Sequence, residues 1–265
     1  MYQGHWGLEN SPFGSARDAR RFHESPTHEE ALARLHFLVE QRRRLGLLQG
    51  PAGSGKSLLL DVFADELRQT GRPVAQVSLV GVDVRAMLFL LAGELAVGAE
   101  PEASLMRLWR AVTDRLAEYR YRQLDAVLLF DDVDQAEPAV VDHLIRLVQH
   151  DTSGQARTLV VLAGRADGIA RLNRRLLELV ELRVDVELWE PLDTKEYVEQ
   201  SLKKAGCQAS VFAEPAITRL HELSGGIPRR VAQLADLSLL AGAGAELPQI
   251  DAAVVETVHR ELAVR

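Results

Sequence analysis

Gly50-Pro51-Ala52-Gly53-Ser54-Gly55-Lys56-Ser57 has the form G-x-x-x-x-G-K-S, and the fold hangs on it. Glycines at these places let backbone N–H groups turn inward around phosphate oxygens. A lysine at this spacing reaches the β- and γ-phosphates, and the Ser57 hydroxyl can ligate Mg²⁺. The helix that follows offers its N-terminus to the same anion. The flanks agree. Leu45, Leu47 and Leu48 form a short apolar run before the loop, suited to a buried parallel strand. Leu58, Leu59, Val62, Phe63 and Leu67 then recur at helical spacing until Gly71. Strand, loop and helix together predict a nucleotide-binding site made by Gly50 to Leu58, with ATP and Mg²⁺ as its ligands.

Working outward, Pro73 to Val80 predicts a second strand, and Val84 to Val97 and Leu105 to Tyr119 predict helices, with Trp109 assigned to the core. Ala126 to Phe130 is a continuous apolar strand closed by Asp131-Asp132. A helix over Pro138 to His150, a strand over Thr158 to Ala163, a helical stretch over Ile169 to Val180 and a strand near Val184 to Leu188 follow. Alternating strands and helices point to a parallel sheet covered on both faces, a three-layer α/β sandwich. After Pro191 only helices are expected: Thr194 to Ala205, Pro215 to Ser224, Pro228 to Ala241 and Ala252 to Ala263. Ala241 to Ala245 reads as a small-residue loop. Two domains are expected, 1–190 carrying the nucleotide and 191–265 a small all-helical lid.

Asp131 and Asp132 complete the chemistry. An acid at the end of a strand neighbouring the loop strand is needed to hold Mg²⁺ opposite Ser57, and Asp131 has that place. Asp132 is placed to orient or deprotonate the attacking water. The whole then reads as an ATP hydrolase, with Lys56 and Asp132 as catalytic groups.

Composition bounds this reading. The 265 residues are 47% hydrophobic and 26% charged, as in a soluble globular protein. The net charge of -7 gives no global attraction to nucleic acid. Basic clusters at Arg17, Arg20 and Arg21 and at Arg42-Arg43-Arg44 leave DNA as an unfavoured alternative. The Arg42 to Arg44 run is explained by cations at the end of a helix that begins near Ser25, with Thr27 and Glu30 as its capping box. One cysteine, Cys207, excludes an internal disulfide. Neither a signal peptide nor an apolar run of membrane-spanning length is visible, so a cytoplasmic location without membrane insertion is expected. His143 and His150 lack metal-ligand spacing with Cys207.

The phosphate loop, the apolar strand with two acids and the trailing helices resemble AAA+ ATPases. His5-Trp6-Gly7-Leu8 with Ser11-Pro12-Phe13, the stretch Ser25 to Leu32, Leu47 to Ser57, Leu159 to Gly164 and Gly225-Gly226-Ile227-Pro228-Arg229 narrow this further. They resemble the family around general secretion pathway protein A. The resemblance implies that Arg229 is the lid arginine at the γ-phosphate and that Pro12 and Phe13 pack beside the adenine, unless they plug a sheet edge. It also implies self-association, with an arginine donated in trans. Arg183, just before the fifth strand, is the candidate, with Arg174 and Arg175 as rivals. Two departures stand out. Asp132 occupies a position where the family carries Glu, and Arg165 one where it carries Gln, which puts the sensing role there in doubt. The implied function is an ATPase driving conformational change or assembly with an unidentified protein partner, in secretion or envelope work. A slow nucleotide-dependent switch or scaffold, or a helper in transposition or replication, is the alternative.

Overall fold

The computed structural model describes residues 2–14, 22–98, 100, 102–151, 153, 155–207 and 209–263. In chain order the elements are α1 (Tyr2–Trp6), α2 (Pro26–Glu40), β1 (Leu45–Gly50), α3 (Lys56–Gln69), β2 (Val74–Ser78), α4 (Val84–Glu94), α5 (Leu105–Tyr121) and β3 (Ala126–Asp131). A 3-10 turn (Val133–Gln135) leads to α6 (Pro138–Val148), β4 (Thr158–Arg165), α7 (Ala166–Ile169), α8 (Arg174–Glu178) and β5 (Leu182–Asp185). The remaining helices are α9 (Pro191–Lys204), α10 (Glu214–Ser224), α11 (Pro228–Gly244) and α12 (Ala252–Ala263).

The chain divides into two compact units. One holds 28–50 and 59–186; the other holds the described residues of 1–27 together with 51–58 and 187–265. The sequence groups the N-terminal segment and the loop with the sheet; by proximity both group with the helices.

The first unit is a five-stranded parallel sheet in the order β2-β3-β4-β1-β5. β1 and β3 are fully or nearly fully buried along their length, as parallel strands covered on both faces must be. Leu45, Leu47, Ala75, Val77, Leu128, Phe130, Val160 and Leu162 share one core with Met87 and Leu91 of α4, Leu108 and Val112 of α5, and Val140 and Leu144 of α6. The alternate positions face the other way. There Gly46 makes room for α2, because a Cβ at that position would run into Leu38. Trp109 is only half-buried at the rim, with the Arg146 guanidinium 4.0 Å from its ring centre.

Three expectations change. The acidic strand is not the neighbour of the loop strand: β4 lies between β1 and β3. The helical stretch after β4 breaks into two short helices, with Asn173 capping the second through Arg175 N at 2.9 Å. Thr27 lies inside α2 rather than capping it, and its Oγ1 accepts from Glu187 N at 3.2 Å.

The second unit packs α9 to α12 with α1 around a separate core that includes Trp6, Phe13, Trp189, Val198, Leu220, Leu234 and Ile250. Residues 241–244 are not a loop but the last turn of α11. Their small size has a packing cause: a Cβ on Gly242 would stand 2.9 Å from the Trp6 ring and 3.0 Å from Ile250. Trp6 Nε1 also donates to Leu239 O at 2.9 Å, which satisfies the buried indole.

Phe130 is fully buried at the centre of the sheet core. Replacing it by alanine is expected to cost about 3–5 kcal/mol of stability, read as a lower urea midpoint of sheet unfolding.

Candidate nucleotide-binding site

The loop begins where β1 ends at Gly50 and closes where α3 begins at Lys56. Gly53 and Gly55 take φ values of 83° and 97°, a region that strains any residue with a Cβ. Glycine there lets the chain curl tightly, and Ser54 N donates back to Pro51 O at 3.3 Å. Ser54 is fully buried under the loop, and Ser57 and Leu58 are half-buried in the first turn of α3. Lys56 is buried, and its Nζ donates to Pro51 O at 2.8 Å, so the ammonium is folded back across the loop. A glycine-bearing loop at a helix N-terminus with a lysine held over it suits phosphate oxygens. The donor set fits a nucleoside triphosphate.

Arg229 belongs to the same unit and reaches the loop through its backbone. Its N–H, in the first turn of α11, donates to Gly53 O at 3.2 Å. A Cβ at Gly53 would stand 3.0 Å from Ile227 Cγ2 and 3.1 Å from Arg229 Cβ, so the glycine also admits this close approach. The Arg229 side chain is exposed. Gly225 and Gly226, both at positive φ, turn the chain from α10 into α11. Gly226 O accepts from Trp189 N at 2.9 Å, and a Cβ on Gly226 would collide with Trp189 O.

Pro12 and Phe13 are buried in the helical unit, with the Phe13 ring 5.8 Å from Tyr197 and 6.5 Å from Phe212. Phe13 therefore packs into the core of the helical unit. Tyr197, Trp189 and His23 continue the aromatic cluster at 4.8 to 5.6 Å between ring centres.

The acids lie in the sheet unit. Asp131 ends β3, is 2% exposed, and accepts from Asp132 N at 2.9 Å. Asp132 adopts φ 58° and ψ 36°, a left-handed geometry that aspartate tolerates better than most residues. Its Oδ2 accepts from Ser78 Oγ at 3.3 Å, at the end of β2. Arg165, the last residue of β4, does not stand as a lone polar group. Its N and Nε donate to Asp134 at 3.0 and 2.8 Å, and the Asp134 side chain is wholly buried. The hydrogen bond that it donates to Asp134, then the charges of Asp134 and Asp167, hold the Arg165 guanidinium above its ordinary pKa. Asp134 and Ser78 are absent from the sequence-based site. The only trace of Asp134 is the spacing Asp131-Asp132-Val133-Asp134, and nothing flags Ser78.

The candidate trans arginines are scattered. Arg183 lies inside β5, not before it, opposite Leu47, and is exposed. Arg174 pairs with Glu178 at 2.9 Å, one turn along α8, and Arg175 donates to Gln149 at 3.1 Å. Of the basic clusters, Arg42 lies 3.7 Å from Asp125, and Arg43 and Arg44 lie 3.4 and 3.7 Å from Glu181, so that run is countercharged. Arg17, Arg20 and Arg21 lie outside the described residues. Among the described residues no group of three or more His, Cys, Asp or Glu could hold a metal. Mg²⁺ commonly relies on phosphate oxygens and waters beside one or two protein ligands, so such a cage is not required. No described helix is long and apolar enough to cross a membrane.

A family model described as an AAA domain matches residues 39–172, half of the 265-residue chain. General secretion pathway protein A of Aeromonas hydrophila is 28% identical over 245 residues, covering 91% of this chain and 45% of that protein. The chain thus spans just under half the length of that relative. The ORC2 protein of Aeropyrum pernix, solved as ADPNP-ADP complexes, matches with a TM-score of 0.72 at 11% identity, over 96% of this chain and 72% of that one. Cdc6p from Pyrobaculum aerophilum matches at 0.71 and 17%, over 92% and 71%. At such identities these two structures carry the fold alone.

The paired glycines before α11 give a graded expectation. Gly225→Ala should cost about 1 kcal/mol through its left-handed backbone, since no atom lies within 4 Å of the added Cβ. Gly226→Ala should lose clearly more, because it also meets the Trp189 carbonyl. Urea midpoints of the two variants check the order.

Proposed function

The chain belongs to the AAA domain family, and from that premise we propose that it is an ATP hydrolase coupling Mg-ATP binding and turnover to conformational change or assembly. The observation that carries the reading is the loop: two glycines at positive φ, with Lys56 held over them by the Pro51 carbonyl. Residues 50–58 would bind the phosphates, with Lys56 exchanging the Pro51 carbonyl for a phosphate oxygen. Ser57 and Asp131 would hold Mg²⁺, which neutralises charge between the β- and γ-oxygens. Asp132 would orient the attacking water, and Arg229 would report the γ-phosphate. Pro12 and Phe13, being buried among aromatic residues, would act on the adenine side through the cluster they support.

Asp132 shapes the rate. It is one methylene shorter than glutamate, and an ångström of misplacement in a catalytic group costs about a hundredfold. Slow turnover is therefore the expectation, and a nucleotide-dependent switch or scaffold is the second reading, favoured by Asp132 and by the Asp134 counter-ion on Arg165. Self-association would supply an arginine in trans, with Arg183 as first candidate and Arg174 and Arg175 as rivals. The relative's name suggests secretion or envelope work through a protein partner. A DNA-transaction role is weakened by the carboxylates that pair with Arg42 to Arg44. A cytoplasmic location goes with this reading.

Steady-state ATP turnover across protein concentration tests this. Turnover per subunit should rise with concentration, fall by a factor on the order of a hundred or more in Lys56→Ala, and increase in Asp132→Glu. Tight ATP binding without turnover in the native chain would replace the hydrolase by the switch. Unchanged activity in Lys56→Ala would overturn both.

A further inference from the structure

Asp134 is a carboxylate that the proposed reaction leaves without a task, yet the chain is shaped around it. Its side chain is wholly buried one short turn beyond Asp131-Asp132. Burying a carboxylate is costly unless it is paired and hydrogen-bonded, and here two donors of one residue meet it: Arg165 N and Nε. Backbone is cut back on two sides to seat it. A Cβ at Gly164 would stand 2.7 Å from Asp134 Oδ1, and a Cβ at Gly168 would collide with Asp134 Cβ. The seat joins the end of β4 to the turn that follows β3.

This seat fixes one edge of Arg165 and leaves the other. Nε is engaged, no hydrogen bond occupies the Nη groups among the described residues, and the side chain is 48% exposed. The same guanidinium feels the charge of Asp132. A neutral amide at this position would leave the buried Asp134 with the backbone N–H of residue 165 but without a counter-ion.

Resting on the ATPase reading above, we propose that Asp134 is a positioning residue: by clamping Arg165 at N and Nε it presents the Nη edge as a fixed cation beside the Asp131–Asp132 turn. A planar guanidinium held at one edge keeps two pairs of donors in a set direction, as recognition of an anionic oxygen requires. Asp134 touches no reacting atom; it acts through Arg165. Its contribution should therefore vanish when Arg165 is gone.

A double-mutant cycle on kcat tests this, with ADP affinity measured beside it. Asp134→Ala and Arg165→Gln should each lower kcat roughly tenfold while KM and the ADP Kd stay within about twofold, the split expected when only transition-state contacts are lost. The double variant should be no slower than Arg165→Gln alone. Asp134→Asn, which keeps the shape but offers one acceptor oxygen to two donors, should recover only part of the loss and covers the case in which the alanine variant does not fold. Native rates in Asp134→Ala, an equal further loss in the Arg165→Gln background, or a parallel loss of ADP binding would each overturn the role of Asp134 alone. A native chain that turns over no ATP at any concentration would overturn the hydrolase reading and this role with it.

Discussion

The hydrogen-bond ladder of β1 carries the site in the sheet unit. β1 is covered on both faces and flanked on both edges, so its backbone groups have only neighbouring strands as partners. Pairing with β4 sets Gly50 opposite Arg165, and pairing with β5 sets Gln49 opposite Asp185. One ladder therefore determines both where the phosphate loop leaves the sheet and where the polar end of β4 stops. Side chains alternate strictly along a strand, so a slip of one residue would turn Leu45 and Leu47 onto the α2 face, where Gly46 leaves no room for a side chain beside Leu38. That penalty is what makes the register sharp.

The carboxyl end of β3 concentrates negative charge. Asp131, Asp132 and Asp134 fall within four residues, two of them with buried side chains. Such a cluster is tolerated because each member has a partner of its own: the Asp132 amide for Asp131, Ser78 for Asp132, and Arg165 for Asp134. Asp132 adds a left-handed backbone to this. Strained, charged turns of this kind collect at functional positions because surrounding structure has to over-determine them. Here the over-determination comes from β2 and β4, the two strands that flank β3.

The helical unit solves a different problem, since short helices need tertiary burial to be stable. Its core is aromatic at one end, where Phe13, His23, Trp189, Tyr197 and Phe212 gather, and small-residue packed at the other, where Gly242 admits Trp6. The N-terminal segment is pinned at several points: Tyr2 Oη donates to Asp236 at 2.7 Å, and Glu9 N donates to Ala205 O at 2.8 Å. The loop glycine Gly53 is bonded to Arg229 within the same unit. Residues at the nucleotide loop and residues at the start of α11 are thus in direct mechanical contact.

Period and local chemistry made much of this legible in the sequence. The apolar run before Gly50, the helical spacing after Lys56 and the unbroken run Ala126 to Phe130 depend only on local geometry, so the elements and the α/β class followed from them. The loop motif was legible for the same reason, because its glycines serve a backbone shape confined to eight residues. What stayed hidden was whatever depends on residues far apart in the chain. Strand order is one case: β4 enters between β1 and β3 although it comes later in sequence. The extent of α11 is another, because Gly242 and Gly244 read as loop until Trp6, 236 positions earlier than Gly242, is seen to need the space. The partnership of Asp134 with Arg165, 31 residues away, is the third. No local pattern distinguishes a solvated aspartate from one that two glycines and an arginine enclose; only the tertiary fold decides which it is, because burial is what gives that carboxylate its need for a cation.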